Sequence, residues 1–92
     1  MTLKDKAKAI IDNYGIIHQL KHFQTEVWEL NEAVLVFELG DGDIKHVIEE
    51  IADVQLMLNE LKQYYEVSDV EVDYNMNFKA NRQLERIKKE NE

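Results

Sequence analysis

The sequence contains no cysteine and no proline, and it contains only three glycines. Without cysteine the chain forms neither disulfides nor zinc–thiolate sites, so any metal must bind through oxygen or imidazole ligands. Without proline, and with glycine only at positions 15, 40 and 42, the chain has few helix breakers. Long helices are therefore expected, with the glycines at the turns.

Long apolar runs are also missing. No stretch approaches the ~18 consecutive apolar residues that a membrane helix needs, and the start of the chain lacks the apolar core of a signal peptide. We therefore expect a cytoplasmic protein with no membrane partner.

Positive charge is scarce. The chain has 19 acidic residues and only 11 Lys and Arg, which gives a formal net charge of −8. Such a surface repels the phosphate backbone of nucleic acid, so we expect no nucleic-acid partner. A small phosphorylated ligand is repelled too, unless divalent cations stand between its phosphates and the carboxylates of the protein.

The length of 92 residues corresponds to one domain, 1–92, and the content of 45% apolar and 33% charged residues is typical of a folded protein. A chain of this size buries only a modest fraction of its surface. We therefore expect a homo-oligomer.

Three helices are predicted from the apolar periodicity and the turn residues. The first runs from about Thr2 to Tyr14, the second from Ile16 to Leu39, and the third begins after the N-cap Asp43 and continues to about Tyr65. The two long helices share a short connection, so they are expected to pack antiparallel. Each long helix carries an apolar seam at steps of three and four: Ile16, Leu20, Phe23, Val27, Leu30, Val34 and Phe37 in one, and Ile44, Val47, Ile51, Val54, Leu58, Leu61 and Tyr65 in the other.

The last third of the chain allows two interpretations. Residues 70–78 alternate between apolar and polar, which is the period of a strand. A lone strand has no pairing partner in a helical chain, whereas Ser68 and Glu71 have the spacing of a capping box and Lys79 to Lys89 are rich in helix formers. We favour a fourth helix, which predicts an all-α antiparallel bundle of about four helices.

Acids three residues apart lie on one helix face, and five such pairs occur in the chain: 26/29, 29/32, 38/41, 50/53 and 66/69. Two pairs differ from the others by their register. Glu26 and Glu29 lie one residue behind the seam of the second helix, and Glu50 and Asp53 lie one residue behind the seam of the third. Each pair is preceded by a histidine one turn earlier, His22 or His46.

Carboxylates on the half-buried flanks of two packed helices repel one another and lose solvation, and bound cations remove that cost. Oxygen ligands of this kind suit Mg²⁺ or Mn²⁺, which accept their remaining ligands from water and phosphate. The alternative is that the four acids are solvated and form surface pairs with lysine. The pattern by itself leaves both open.

Other chemistries have less support in the sequence. A diiron bundle needs Glu-x-x-His on two helices, and only Asp43-x-x-His46 comes close. His22 and His46 are either ligands or structural residues beside the seam. No Gly-rich phosphate loop is present, and no serine or cysteine nucleophile lies in a known motif.

The acid pattern as a whole resembles the MazG-like nucleoside triphosphate pyrophosphohydrolases. The matching features are Glu26-x-x-Glu29, a gap of twenty residues, and Glu50-x-x-Asp53 within the stretch His46-Val-Ile-Glu-Glu-Ile-Ala-Asp-Val54. That family groups with the dimeric dUTPases and has an E-x-x-E pair followed by E-x-x-D. The resemblance covers the chain from about Tyr14 to Arg86.

The resemblance implies a MazG-like helical bundle that assembles as a dimer or tetramer and cleaves nucleoside triphosphates, with Mg²⁺ (or Mn²⁺), to the monophosphate and pyrophosphate. It implies that Glu26, Glu29, Glu50 and Asp53 hold the metal. The metal would polarise the phosphate and lower the pKa of an attacking water. Glu49, or one of the four ligands, would orient that water as general base.

Family members also place basic residues on the last helix to meet the phosphates. Lys79-Ala80-Asn81 resembles the start of that run, and a shift of one residue aligns Arg82 and Arg86, which share one helix face. These two arginines are the predicted phosphate ligands. The alternative is a solvated basic end that balances the acidic body.

The leading hypothesis is a housecleaning nucleotide pyrophosphohydrolase that removes unwanted nucleoside triphosphates. The alternative is a helical interaction or regulatory module that keeps the bundle but has lost turnover. Acids at all four ligand positions favour the enzyme. Nothing in the sequence identifies the preferred base.

Overall fold

The computed structural model describes all 92 residues and is entirely helical. The four helices are α1 (Leu3–Tyr14), α2 (Ile16–Glu38), α3 (Ile44–Tyr64) and α4 (Asp69–Glu90). The predicted all-α class is confirmed. None of the four combines the length and the apolar character that crossing a membrane requires.

The start of α4 confirms the helical interpretation of residues 70–78. The Ser68 hydroxyl accepts a hydrogen bond from the Glu71 amide, and the Glu71 carboxylate accepts one from the Ser68 amide, both at 3.1 Å. This reciprocal pair satisfies two amides that have no partner within the helix. The strand alternative is therefore wrong, because local capping decides the conformation of a segment that has no neighbouring strand.

Two other helices begin at side-chain caps. Thr2 and Asp5 form a second capping box at α1, with both hydrogen bonds at 3.1 Å. The Asp43 carboxylate accepts a hydrogen bond of 2.9 Å from the Lys45 amide, which confirms Asp43 as the N-cap of α3.

Helices α2 and α3 end in the same backbone motif. In each, one residue adopts a left-handed conformation, and the next amide donates to the carbonyl five positions earlier, as in a Schellman motif. The residue is Gly40 after α2 (φ 87°) and Glu66 after α3 (φ 54°), and the closing hydrogen bonds measure 3.1 Å and 2.9 Å. Glycine takes this conformation freely, whereas glutamate is strained in it.

Helices α1, α2 and α3 pack together. Helix α2 packs against α3, and α1 packs against α3 with a smaller contact to α2. Ala7 and Ile11 of α1 are fully buried and form the centre of the apolar core. The antiparallel arrangement of α2 and α3 is confirmed by their facing pairs, in which Gln19 bonds Glu60 while Glu26 lies by Asp53.

The predicted burial pattern of the long helices was wrong. The pattern predicts that the apolar seams are buried with the acids on their flanks, but most of the side chains buried between α2 and α3 belong to the stripe one residue behind each seam. The buried residues of this stripe are Gln19, Glu26 and Ala33 in α2 and Glu50, Met57 and Glu60 in α3, whereas Val47 is the one seam residue that is buried. Seam residues such as Val34 and Leu58 remain 40% and 44% exposed. The reason is that α1, with 12 residues, covers only part of the helix pair.

Helix α4 extends away from the other three and has no buried residue. Only its start is anchored, where the Asp69 carboxylate accepts a 2.9 Å hydrogen bond from Lys62 Nζ and lies 3.2 Å from Lys4 Nζ. These hydrogen bonds and charges lower the pKa of Asp69. Three helices therefore form the bundle within one chain, and the fourth projects from it.

Candidate metal centre

Three of the four predicted metal ligands lie together between α2 and α3. Glu26, Glu29 and Glu50 each offer a carboxylate oxygen, and these oxygens all lie within 4.8 Å of one another. The antiparallel register of α2 and α3 explains why these carboxylates lie close together. Side chains three residues apart share one helix face, so an acid pair on one helix can face the pair on the other. Glu26 and Glu50 are 8% and 7% exposed, whereas Glu29 is exposed. We call these three residues the glutamate cluster.

Asp53 lies next to the glutamate cluster but is not one of its three members. It shares a cleft with Glu26, and its charge raises the pKa of both Glu26 and Glu50. The fourth predicted ligand is therefore placed one turn further along α3, on the side of the cleft.

Two buried oxygens of the glutamate cluster lack a hydrogen-bond partner. Oε2 of Glu26 and Oε2 of Glu50 are both inaccessible to solvent and accept no hydrogen bond. An unpaired buried carboxylate oxygen is costly, because it has lost its hydration without gaining a donor. Both glutamates belong to the glutamate cluster, so a cation bound there would offset the negative charge of both carboxylates.

The two histidines each approach a buried glutamate from one turn earlier. His22 Nε2 lies 3.3 Å from Glu26 Oε1, and His46 Nδ1 lies 3.9 Å from Glu50 Oε1. A protonated imidazole at these distances offsets part of the negative charge. Each histidine contacts the Oε1 atom, so Oε2 of the same glutamate remains unpaired.

The electrostatics of the site disfavour the ionised forms of Glu26 and Glu50 in the absence of a cation. Burial raises the pKa of Glu26, and the charges of Asp53 and Glu29 raise it further, while His22 opposes them. Burial likewise raises the pKa of Glu50, followed by the charges of Glu29 and Asp53, with His46 opposing. A divalent cation reverses this balance by stabilising the ionised carboxylates.

Glu49, the predicted general base, lies beside the cluster but outside it. Its side chain is 75% exposed, and its Oε2 atom lies 3.9 Å from His46 Nδ1. Its charge contributes to the raised pKa of Glu50. Glu49 is thus open to solvent and close to the cluster, and the same His46 nitrogen lies 3.9 Å from Glu49 Oε2 and 3.9 Å from Glu50 Oε1.

A cleft of about 430 Å³ opens next to Glu26 and Asp53. Its wall includes Tyr14 and His18, whose rings stack with centroids 4.9 Å apart. This volume lies in the range of small-molecule pockets, ~300–1,000 Å³. The remaining lining residues come from all three packed helices: Ile10, Gln19, His22, Leu56, Met57 and Glu60.

Sequence reasoning missed a buried polar pair at the back of this cleft. Gln19 Nε2 donates a hydrogen bond of 2.6 Å to Glu60 Oε1, and the two residues are 3% and 1% exposed. Gln19 Oε1 also lies 2.8 Å from His18 Nδ1. The signal was present, because Gln19 and Glu60 continue at helical spacing the same two stripes that carry the acid pairs.

The predicted phosphate ligands Arg82 and Arg86 are not brought to the cluster within one chain. Both are exposed on α4, and neither forms an ion pair with any acid. The prediction requires α4 to pack against the other helices. Because α4 projects from the bundle, its arginines do not reach the cluster of the same chain.

Comparisons of this chain with known protein families, with curated proteins and with solved structures gave no match.

Proposed function

We propose that this protein is a Mg²⁺-dependent nucleoside triphosphate pyrophosphohydrolase, which cleaves a (d)NTP to the (d)NMP and pyrophosphate. The observation that carries the proposal is the pair of unpaired, buried Oε2 atoms of Glu26 and Glu50 within the glutamate cluster. Structural carboxylates at this depth normally have donors. The nucleotide part of the proposal rests on the resemblance of the acid pattern to the MazG-like enzymes.

The donor set suits a hard divalent cation. All its members are carboxylates, which Mg²⁺ and Mn²⁺ prefer to the softer ligands that zinc or copper select. Glu26, Glu29 and Glu50 would hold the metal, with Asp53 completing the set from the side of the cleft. When bound, the metal neutralises phosphate charge and makes a coordinated water more acidic.

The residues of the chain would supply the remaining parts of the reaction. Glu49 is exposed beside the cluster, so its carboxylate would accept a proton from the attacking water. The cleft at Glu26 and Asp53 would take the nucleoside, with Tyr14 and His18 offering a stacked aromatic surface to a base. The triphosphate would then lie between the cleft and the cluster.

The direct test is product analysis by ³¹P NMR. The purified protein is incubated with a panel of dNTPs and NTPs with Mg²⁺ or Mn²⁺, at values from about pH 6 to pH 9 so that a general base is ionised in part of the range. We expect a monophosphate and pyrophosphate, and no reaction with EDTA. Release of orthophosphate would contradict the assigned reaction, and no turnover under any condition would contradict the enzyme.

A second candidate is an interaction or regulatory module without turnover. The large exposed apolar surface favours it, since 24 large hydrophobic side chains are exposed in the single chain. The same assay separates the two candidates, because the module predicts no product with any nucleotide.

A further inference from the structure

A buried carboxylate lines the back of the cleft that opens beside Glu26 and Asp53. Glu60 is 1% exposed, and it belongs to the lining of this cleft. Its Oε1 atom accepts the 2.6 Å hydrogen bond from Gln19, whereas its Oε2 atom accepts no hydrogen bond within the chain. The buried side-chain oxygens that lack both solvent and a partner are Oε2 of Glu26 and Oε2 of Glu50. Glu60 Oε2 is not one of them, so it keeps contact with the open volume of the cleft.

The carboxylate of Glu60 fixes the orientation of the Gln19 amide. A carboxylate only accepts hydrogen bonds, so the atom that faces it must be the amide nitrogen of Gln19. The same nitrogen lies 3.9 Å from Met57 Sδ, a weak acceptor, so both of its hydrogens have a partner. The Gln19 carbonyl oxygen lies 2.8 Å from His18 Nδ1. This oxygen needs a donor, so the proton of a neutral His18 is on Nδ1 and Nε2 is left as an acceptor.

The back of the cleft therefore offers acceptors and no free donor. The lining contains no Lys, Arg or Asn. Its one buried amide, that of Gln19, already donates within the chain. An acceptor that is buried without a donor costs free energy, so a ligand binds at this depth only if it brings N–H groups of its own.

The walls of the cleft suit a flat ring. The stacked rings of Tyr14 and His18 form part of one wall, and Ile10, Leu56 and Met57 add apolar surface. An aromatic ligand can stack on such a surface and bury its faces against apolar side chains. The cleft thus combines apolar walls for the faces of a ring with a carboxylate oxygen for a donor on its rim.

The common nucleobases differ in what they offer to such an oxygen. Cytosine and adenine each carry an exocyclic amino group, and guanine carries one as well. Uracil and thymine have carbonyl oxygens at their exocyclic positions, and their ring N–H lies between the two. A carbonyl beside Glu60 Oε2 leaves two acceptors facing each other after both have lost their water. A site built around a hydrogen bond rejects a ligand that lacks the matching group for this reason.

We infer that this cleft selects nucleobases that carry an exocyclic amino group over uracil and thymine. Glu60 Oε2 accepts a hydrogen bond from the amino group, so Glu60 determines the specificity. Gln19 is a positioning residue, because it holds the other oxygen of the same carboxylate. The choice of a nucleotide as the ligand rests on the proposed function, whereas the acceptor character of the cleft rests on the contacts of Gln19 and Glu60 alone.

Nucleosides without phosphate test this inference in EDTA, so the result is independent of metal and of turnover. Two pairs of nucleosides differ by the exchange of an amino group for a carbonyl oxygen, with the ring proton that accompanies it. They are deoxycytidine with deoxyuridine, and deoxyadenosine with deoxyinosine. Binding is measured from chemical-shift changes in ¹H–¹⁵N NMR spectra of the protein. We expect the amino member of each pair to bind at least about tenfold more tightly than the carbonyl member.

Glu60→Gln changes the acceptor into a donor and keeps a partner for Gln19. The new amide can direct its oxygen to Gln19 and its nitrogen to the cleft. This variant should bind the carbonyl member of each pair at least as tightly as the amino member, and its NMR spectrum shows directly whether it is folded. Glu38→Gln is the matched control, because it removes the same charge from an exposed position outside the cleft. It should keep the preference of the wild type.

Three results would overturn the inference: equal binding within each pair by the wild type, no binding of any of the four nucleosides, or a preference that Glu60→Gln leaves unchanged. Selective binding by a protein that turns over no nucleotide would uphold the base selection and contradict only the proposed function. Turnover of dUTP as efficient as that of dCTP would uphold the proposed function and overturn the base selection.

Discussion

Gln19 Nε2 donates a 2.6 Å hydrogen bond to Glu60 Oε1 across the α2–α3 interface, at the back of the cleft beside the glutamate cluster. Both side chains are almost completely buried. The pair fixes the register of the two helices at the end opposite their connection. Because the acids of the cluster lie on the same two stripes, this register also sets the distance between their carboxylates.

Replacing Gln19 tests how much this pair stabilises the fold. Gln19→Leu keeps a side chain of similar size but leaves Glu60 Oε1 buried without a donor, which is expected to cost about 1–3 kcal/mol. Urea unfolding measures the change. The control is Asp12→Ala, which removes the solvent-exposed Lys8–Asp12 ion pair of 2.7 Å and should change stability little. Equal losses in the two variants would contradict a structural role for the buried pair.

The pH dependence of the metal-free protein tests the electrostatics of the cluster. Burial and neighbouring charges raise the pKa of Glu26 and the pKa of Glu50 above the ordinary value of 4.5. At a pH just above 4.5, the folded chain therefore binds more protons at these two groups than the unfolded chain does. Stability rises with pH only where the unfolded chain binds more protons, and here the folded chain binds more. The contribution of these groups is therefore unfavourable above their raised pKa values, and stability should fall as pH increases through them.

Glu50→Gln removes one of these titrating groups. In EDTA, we expect the variant to lose less stability than the wild type as pH rises from 4.5, with melting temperature as the measurement. The matched control is Glu38→Gln, an exposed acid of the same helix as Glu26. Parallel curves of melting temperature against pH for the wild type and Glu50→Gln would contradict a raised pKa of Glu50.

The end of α3 offers a stabilising substitution. Glu66 adopts φ 54° in a motif where α2 has Gly40, and the left-handed conformation costs a non-glycine residue about 1–2 kcal/mol. Part of this is offset by the larger entropy of glycine in the unfolded chain, so Glu66→Gly should raise the free energy of unfolding by about 0.5–1 kcal/mol. Glu66→Ala keeps the strain and should give no gain. If both variants behave alike, the conformation of residue 66 does not limit stability.

The exposed apolar side chains of α4 are expected to hold a homo-oligomer together. Tyr74 and Phe78 contact nothing that buries them in one chain, since they are 72% and 60% exposed. The double variant Tyr74→Ser, Phe78→Ser should therefore shift the particle toward the mass of one chain in sedimentation experiments, with helicity nearly unchanged. Trp28→Ser is the control, because Trp28 is 68% exposed but lies outside the seams. An unchanged mass for the double variant, or an equal loss of mass in the control, would contradict this role of Tyr74 and Phe78.

The local parts of the fold were predictable from the sequence, and the reason is physical. The caps at Asp43 and Ser68 depend on side chains a few residues away, so spacing alone identifies them. The meeting of Glu26, Glu29 and Glu50 followed from helical spacing combined with an antiparallel pair. The position of Asp53 at the edge of the cluster was not predictable, because it depends on the relative rotation of the two helices.

Burial and the placement of α4 were not predictable from the pattern. An apolar seam is buried only if another surface covers it, and within one chain α1 covers too little, so the polar stripe behind each seam became the contact face. The Gln19–Glu60 pair was missed because a polar residue at helical spacing usually faces solvent. Arg82 and Arg86 share a face as expected, but whether that face meets the cluster depends on where α4 docks.

The central claim is that the glutamate cluster binds a divalent cation, and calorimetric titration of the metal-free protein with Mg²⁺ and with Mn²⁺ tests it most directly. We expect saturable binding to the wild type, with release of protons when the titration is carried out at a pH where Glu26 and Glu50 are partly protonated, because their pKa values are raised. Glu50→Gln should bind at least tenfold more weakly, while Glu38→Gln should bind like the wild type. Equal binding by all three proteins, or no binding by the wild type, would contradict the assignment of this site.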